Sequence, residues 1–308
     1  MSLLLEIQDK VHDTNAAIAR MERAVATHGE SPSLLASIRS LEKRRKFLEA
    51  EFLELADRYG QDVCTYRLFA NGEQPSITAL SKALGDFQLL FSVVYDSLKT
   101  GPKDRARIGA DVANATNFGF AYTFPGSIGV VLTLPNARLL PTFKTDLDRT
   151  VETVFEISQA KAPAEICVFA KQLGPASVRA AYRWAKDHAM NHLGAEIEWR
   201  RNQAVTDRLL IQHREIEQLS STIEQTSEES TEEIVVGGVL VGADTLRHTF
   251  HFVTDVSIKG RFSDAISETQ KAELPAPYRA TIRKTTKIVY STDEEDVAYF
   301  LLKLERPS

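Results

Sequence analysis

Apolar residues in the first sixty positions recur at alternating intervals of three and four residues. This spacing puts them along one edge of an α-helix and is typical of a coiled-coil seam. Two such rows are separated by Gly29, Ser31 and Pro32, which suit a helix end, an N-cap and a first helical position. So short a connection predicts an antiparallel helical hairpin over residues 1–60. The predicted association seam consists of Leu4, Ile7, Val11, Ile18, Met21, Val25, Leu34, Ile38, Leu41, Leu48, Phe52 and Leu55, and Tyr59 ends the second row.

Two polar residues, Thr14 and Arg45, interrupt the rows. A polar seam residue lowers stability and helps to fix register or partner. Two helices with narrow apolar edges form only a marginal unit by themselves, so we expect the hairpin to pack against the rest of the chain or against a protein partner, including a second copy. The basic run 43–46 is interpreted as a solvated helix face, because a helix spreads four consecutive residues around its circumference.

Between residues 61 and 219 helical and strand periods alternate, which predicts a central mixed α/β domain. A strand is expected at 65–69. A β-hairpin is expected from 118–124 and 128–134, with a turn at Pro125-Gly126. The expected helices are one capped by Ser76 and ended by Gly101-Pro102, then 145–160, 163–173, 175–193 with Gly194 as its stop, and a seam-type helix over 205–223.

The composition changes at residue 220. Residues 220–233 are Ser, Thr, Glu and Gln with one Ile, which predicts an acidic linker. Residues 234–308 then alternate as five short strands with glycines between them, which predicts a small five-stranded β-barrel of OB or SH3 type. The fold class expected for the whole chain is therefore α+β.

Composition and charge exclude some classes of protein. The chain has 308 residues, 43% hydrophobic and 26% charged, with a net charge of −5, so no overall field attracts nucleic acid or anionic membrane. Its two cysteines form no disulfide framework. We find no signal peptide and no apolar run of membrane-spanning length, and we expect a soluble cytoplasmic protein.

A search for catalytic chemistry finds no nucleophile elbow, phosphate-binding loop or Cys/His zinc signature. His188 and His192 have the spacing of two zinc ligands on a helix, but Ala189 stands where a zinc hydrolase needs Glu, and Glu196 and Glu198 lie beyond the expected helix stop. We interpret both histidines as ordinary surface residues. No metal and no cofactor are expected, and the sequence favours a non-enzymatic protein.

A stripe of cations is the most specific functional hint. Arg279, Arg283 and Lys287 fall on one face of the fourth predicted barrel strand, and Lys259 or Arg261 could extend the stripe from a neighbouring strand. Cations beside aromatic residues are typical of single-strand nucleic-acid binders. However, residues 234–308 hold ten Lys or Arg and ten Asp or Glu, so a solvated strand face is favoured, and the stripe could also contact the acidic linker or an acidic partner. The aromatic residues considered for stacking are Phe250, Phe252, Tyr278, Tyr299 and Phe300.

The sequence therefore favours an interaction or assembly protein, a subunit or adaptor of a larger intracellular complex that associates through its N-terminal helices. One alternative is a nucleic-acid-binding protein that uses the C-terminal barrel. Another is an enzyme whose site lies between the central domain and the barrel, assembled from residues too distant for a motif to reveal.

Overall fold

The computed structural model describes residues 3–70, 75–124, 128–136, 144–201, 203–263, 272–292 and 295–306. The chain forms two compact units, Met1–Gln225 and Thr226–Ser308. Its described residues contain eight helices and ten strands. The predicted α+β class is confirmed, with a contacting pair of N-terminal helices and a closed five-stranded barrel.

The N-terminal pair consists of α1 (Leu3–His28) and α2 (Pro32–Arg58). The hydroxyl of Ser31 accepts a hydrogen bond from the backbone N–H of Leu34 at 3.2 Å, which caps α2 as the sequence predicts. Gly29 takes the positive φ of 85° that ends α1.

A five-stranded antiparallel sheet forms the centre of the first unit, in the order β2-β3-β1-β4-β5. The predicted hairpin is present as β2 and β3, although its turn at Pro125-Gly126 lies outside the described residues. The strands are β1 (Gln61–Ala70), β2 (Gly119–Phe124), β3 (Ile128–Pro135), β4 (Leu193–Arg201) and β5 (Ala204–Ile211).

Helices supply the core on one face of this sheet. The ring of Trp199 in β4 stacks on Phe91 at 5.6 Å between centroids. Tyr66 in β1 accepts a hydrogen bond from the indole N–H of Trp184 at 2.8 Å. The remaining helices of the unit are α3 (Ile77–Thr100), α4 (Ala110–Thr116), α5 (Asp146–Ser158), α6 (Pro163–Leu173), α7 (Pro175–Met190) and α8 (His213–Gln225).

Helix α3 is long and apolar enough to cross a membrane by length and composition, contrary to the sequence expectation. Half of its most apolar window is buried inside the protein. The core helix of a soluble protein has the same properties, so this helix is weak evidence for a membrane span and a soluble protein is plausible.

His188 is not the surface residue that the sequence analysis expects. It is fully buried at the end of α7, where its Nε2 lies 2.9 Å from the hydroxyl of Tyr66 and its Nδ1 2.7 Å from the carbonyl oxygen of Trp184. Burial lowers the pKa of His188 to about 4, so the ring is neutral near pH 7. His192 follows the helix in a positive-φ turn, so the two histidines do not share a helical face.

A buried ionic network closes one end of the sheet. Arg201 donates two hydrogen bonds to Asp62, at 3.2 and 2.9 Å, and a third to Asp148 at the start of α5. Asn136 and the indole N–H of Trp199 also donate to Asp62, at 2.7 and 3.0 Å. Because its carboxylates are buried and satisfied from several elements, this network fixes β1, β4 and α5 together.

Two sequence predictions in this unit are wrong. Residues 205–211, expected in a helix, lie in β5, and only 213–225 are helical. The spacing of Val205, Leu209 and Gln212 suits a helix, but pairing with β4 buries Leu209 and Ile211 at strand period. Gly194, expected to stop a helix, lies within β4 under the ring of Phe69, where a Cβ would come within 2.2 Å of that ring.

The second unit is a barrel closed in the order β10-β8-β7-β6-β9. Strand β8 pairs in parallel with β10 and the other pairs are antiparallel, which is the Greek-key ring order of an OB-type barrel. Phe252, Ile282 and Ala280 fill its interior and are fully buried. The strands are β6 (Ser227–Asp244), β7 (Thr249–Val253), β8 (Ser257–Phe262), β9 (Ala276–Val289) and β10 (Glu295–Glu305).

The predicted acidic linker is replaced by regular structure. Residues 220–225 complete α8, and 227–233 form the first half of β6. This acidic segment pairs with β9 residue by residue, and cations of β9 oppose two of its glutamates. Lys284 lies 2.8 Å from Glu232, and Arg283 lies 3.7 Å from Glu233.

Candidate functional site

The predicted cation stripe exists as a row on the outside of the barrel. In β9, Tyr278, Ala280 and Ile282 point into the barrel, while Arg279, Arg283 and Lys287 are exposed. Eight residues separate the ends of the row, or about 26 Å at the usual strand rise. The row is therefore too long to surround one small group.

Only part of the predicted set meets in one place. Lys259 and Arg261 of β8 and Arg283 of β9 line a shallow groove of about 500 Å³ together with Tyr299 and Phe300 of β10. Within the described part of the chain, no ion pair involves Lys259 or Arg261. Arg279 and Lys287 do not line this groove.

Acidic residues offset this cationic groove. Glu229 lines it, and Glu233 pairs with Arg283. Residues 226–308 contain ten Lys or Arg and fourteen Asp or Glu, so the unit as a whole is acidic. Through Arg283, the stripe contacts the chain's own acidic segment, one of the alternatives that the sequence left open.

The predicted stacking surface is largely absent. Phe250, Phe252 and Tyr278 are buried in the barrel interior, where they form its core. Tyr299 and Phe300 are partly exposed and line the groove. Alternation along a strand shows which residues share a face, but it does not show which of the two faces a barrel encloses.

An apolar surface that the sequence analysis missed lies on the outside of β6 and β7. Val235, Val239, Val241 and Val253 are 56%, 38%, 40% and 37% exposed, and we call them the valine face. Val239 and Val253 are cross-strand partners. Between Val235 and Val239 lies Gly237, where an added Cβ would meet nothing within 4 Å, so the surface dips there.

Charges of both signs border the valine face. Arg279 of β9 is the register partner of Gly237, and Glu233 precedes Val235 on the same outward face of β6. The side chain of Glu233 is 58% exposed despite its contact with Arg283. The surface therefore presents an apolar centre with one cation and one anion beside it.

A signal for this face was present in the sequence. Residues 234–241, Ile-Val-Val-Gly-Gly-Val-Leu-Val, are apolar on both alternating sides of the strand. A small barrel fills only its interior, so the second apolar side must face outward. In β6, Ile234, Val236 and Leu240 point inward and the valine face points outward.

The N-terminal seam divides into two parts. Near the ends of the hairpin that adjoin β1, its residues pack on Val63, Tyr122 and Val131 of the sheet in one apolar cluster. Towards the connection between the helices the seam is only half-buried, and at the opposite end of α2 Tyr59 is exposed. The covered residues are Leu4, Ile7, Val11, Leu48, Phe52 and Leu55, Ile18 is also buried, and the half-buried residues, called the hairpin tip, are Met21, Val25, Leu34, Ile38 and Leu41.

The described residues contain no group of three or more His, Cys, Asp or Glu side chains that could hold a metal ion. Glu196 and Glu198, considered as ligands from the sequence, are paired with arginines instead. Comparison of the chain with models of protein families, with curated proteins and with solved structures finds no match.

Proposed function

We propose that this protein is a non-enzymatic interaction protein that assembles with a second copy of itself through the valine face of its barrel. The observation that carries the proposal is a set of four exposed valines on the outside of a barrel whose interior is already filled. Clustered apolar surface on a folded protein is typical of interaction sites.

The energetic reason is the unfavourable hydration of this surface. Each Å² of apolar area removed from water contributes about 25 cal/mol to the free energy of association. Binding a partner would remove the valine face from water. The dip at Gly237 gives a protruding side chain a place to enter. Arginine at the border suits an interface, since Arg is enriched there.

A second copy fits the charges at this face. In a two-fold dimer the same patch of both copies forms the interface. If one residue of the first copy contacts another residue of the second, the same contact occurs again with the two copies exchanged. Glu233 and Arg279 lie on the same outward face, and each could meet its opposite in the partner copy. The patch is thus complementary to itself in charge as well as in polarity.

The helical hairpin has a smaller part in this proposal than the sequence analysis gave it. Half of its seam already lies on the sheet of its own chain. The half-buried hairpin tip leaves a second apolar surface through which a further protein could be recruited into the same assembly. Cysteines that are both free suit a cytoplasmic assembly of this kind.

Sedimentation equilibrium over a wide concentration range tests the proposal. We expect the wild type to dimerise, and both Val239→Glu and Gly237→Glu to shift it to monomer, because each puts a charge at the centre of the contact. Val205→Glu, at an exposed valine of β5, is the matched control and should leave the dimer unchanged. A wild type that stays monomeric at every concentration, or dimers in all three variants, would refute the proposal.

Single-stranded nucleic acid is a second candidate ligand, favoured by the groove that Lys259, Arg261 and Tyr299 line. Phosphate contacts make such binding fall steeply with salt. Fluorescence anisotropy with a labelled oligothymidine should then show binding that Lys259→Ala and Arg261→Ala weaken and that Arg44→Ala, on exposed α2, does not. Binding that ignores salt or these two cations would exclude the groove.

A further inference from the structure

A cleft of about 430 Å³ opens on the face of the central sheet opposite the aromatic core. Its floor is made by outward residues of β1, β3 and β4, including Thr65, Val131 and Glu198, which are neighbours in the sheet register. Helix α2 forms one wall with Arg45, Glu49 and Leu53. Cavities of this size hold small organic molecules.

The polarity of the cleft changes across the sheet. On the side of β2 and β3 the lining is apolar and aromatic, with Tyr122, Phe124 and Val131. On the side of β4 it is ionic, with Glu196, Glu198 and Arg200. A ligand that fills it therefore needs one apolar, flat portion and one charged portion.

Arg45 brings a cation into the cleft from the helix. It is the residue that interrupts the apolar seam of α2, and it faces the sheet while Arg44 and Lys46 are exposed. Its Nε is buried with no hydrogen-bond partner and lies 3.6 Å from a carboxylate oxygen of Glu49. A buried N–H donor without an acceptor is costly, so an acceptor on a ligand would stabilise it.

Arg200 provides a second cation in the cleft, whereas the adjacent Arg201 lies on the opposite face of the sheet. Arg201 is on the core face, where two buried aspartates occupy its guanidinium. Arg200, on the cleft face, contacts Glu198 at 2.6 Å, and Glu198 also lies 3.6 Å from Arg208. Because Glu198 has this second cation, a ligand anion could share Arg200 without leaving the carboxylate unpaired.

Glu49 adds sensitivity to pH. Burial raises the pKa of Glu49 above its ordinary value, while Arg45, Lys46 and Arg200 act in the opposite direction. Its charge in turn contributes to the raised pKa of Tyr122, which burial dominates. Glu196, Glu198 and Arg67 line the same cleft, where Arg67 lies 3.5 Å from Glu196. Protonation of Glu49 would remove a competitor for Arg45 and leave the cleft more positive.

We propose that this cleft binds a small organic anion with an aromatic ring, whose carboxylate or phosphate meets Arg45 and Arg200 and whose ring lies on the Tyr122–Phe124 side. The guanidinium groups of Arg45 and Arg200 supply charge-assisted hydrogen bonds to the anion. The lining of Phe124, Leu53 and Val131 removes the ring from water. This site is independent of the valine face.

Isothermal titration calorimetry with four probes tests the proposal. Phenylacetate carries a ring and a carboxylate, and adenosine monophosphate carries a ring system and a phosphate. Inorganic phosphate and benzyl alcohol supply the anion and the ring alone. We expect at least one ring-bearing anion to bind more tightly than both partial probes, and the stronger of the two identifies the anionic group.

Variants connect that binding to the cleft. Arg45→Ala and Arg200→Ala should each weaken it about tenfold or more, whereas Arg44→Ala, one position away on the outer side of α2, should not. Glu49→Gln should strengthen binding of phenylacetate near neutral pH. In the wild type that affinity should rise as the pH is lowered from neutral, because Glu49, whose pKa is raised by burial, takes up a proton, and Glu49→Gln should flatten the rise.

A gain of affinity in Glu49→Gln cannot come from misfolding, so this variant keeps the test decisive if the arginine variants unfold. Failure of both ring-bearing anions to bind more tightly than the partial probes would overturn the proposal. Equal loss of binding in Arg44→Ala and Arg45→Ala would also overturn it, as would weaker binding in Glu49→Gln.

Discussion

The seam of the N-terminal hairpin and the valine face of the barrel are both apolar stripes with regular spacing, but the chain packs its own sheet on half of the first and leaves the second exposed. Phe52 of the seam is fully buried against Tyr122, with the two rings edge to face at 5.2 Å. Val235 and Val239 of the barrel remain exposed. A regular apolar spacing thus predicts a helix or strand and the side of it that is apolar, but it does not predict whether the same chain or a partner covers that side.

This difference predicts that substitutions in the two surfaces affect different properties, the stability of the fold in one case and the association of the protein in the other. A residue that its own chain covers should change the free energy of unfolding when it is shortened. A residue on an uncovered face should change that free energy little and the association of the protein strongly. Four substitutions test this division, in order of decreasing effect on stability.

Phe52→Ala should cause the largest loss. Removing a fully buried ring from the cluster with Tyr122 leaves a cavity and costs about 3–5 kcal/mol of unfolding free energy. Urea denaturation followed by circular dichroism measures it. Phe47→Ala on the same helix, where the ring is 69% exposed, should cost less than about 0.5 kcal/mol. Similar losses in the two variants would show that the sheet does not cover this part of the seam.

Arg201→Ala tests the same division for a charged residue that lies among buried polar partners. It would leave the buried carboxylates of Asp62 and Asp148 without their shared cation and should cost about 3 kcal/mol. The control is the preceding residue. Arg200→Ala, on the open face, should cost less than about 1 kcal/mol in the same urea titration. Equal costs would contradict the assignment of the two arginines to opposite faces.

Asp86→Asn should increase stability in a way that depends on pH. Asp86 is buried in α3, where desolvation and the neighbouring Asp187 raise its pKa to about 7 against the attraction of Arg183. Unfolded Asp titrates near about 4, so between about pH 4 and 7 the folded protein holds the proton that the unfolded chain releases. Wild-type stability therefore falls as the pH rises through this range.

The variant has no such titration. Above pH 7 we expect Asp86→Asn to be more stable than the wild type by about 1–2 kcal/mol, and below about pH 4 the difference should vanish. Urea titrations at several pH values measure this, with Asp57→Asn on the exposed part of α2 as control. A variant that is less stable than the wild type at pH 8 would show that the Arg183 contact dominates.

Val239→Thr should have the smallest effect on stability, below about 0.5 kcal/mol, because the side chain keeps its shape and β-branching on an exposed strand face. Its dimer should nevertheless be weaker, since the substitution places a hydroxyl in the apolar contact. Sedimentation equilibrium gives the second quantity and urea denaturation the first. A dimer of wild-type strength would remove Val239 from the interface.

Local signals made much of the fold predictable. Ser31 and Gly29 mark the ends of the hairpin helices by cap chemistry that acts over a few residues, and β2 and β3 lie within one residue of their predicted ranges 118–124 and 128–134. Where tertiary pairing decides, the sequence misled. Residues 227–233 have the composition of a linker, but they form a strand that pairs with β9 along its length, where cations oppose two of its glutamates.

The candidate sites were less predictable than the fold. The cleft joins Arg45 to Arg200, and no local spacing relates residues so distant in the chain. The one sequence signal for the cleft was Arg45, a polar residue inside an apolar seam. The valine face had a clearer signal, since 234–241 is apolar on both sides, but interpreting it requires knowing that the barrel encloses only one.

A charge exchange at the valine face tests the assembly most directly. Glu233→Arg and Arg279→Glu are made in separate chains, and each chain is examined alone and mixed by sedimentation equilibrium. In a two-fold contact between these residues, either variant alone places like charges opposite each other, while the mixture restores opposite charges on both sides. We predict two monomeric variants that form a heterodimer when mixed. Variants that dimerise alone, or a mixture that stays monomeric while the wild type dimerises, would contradict the proposed contact.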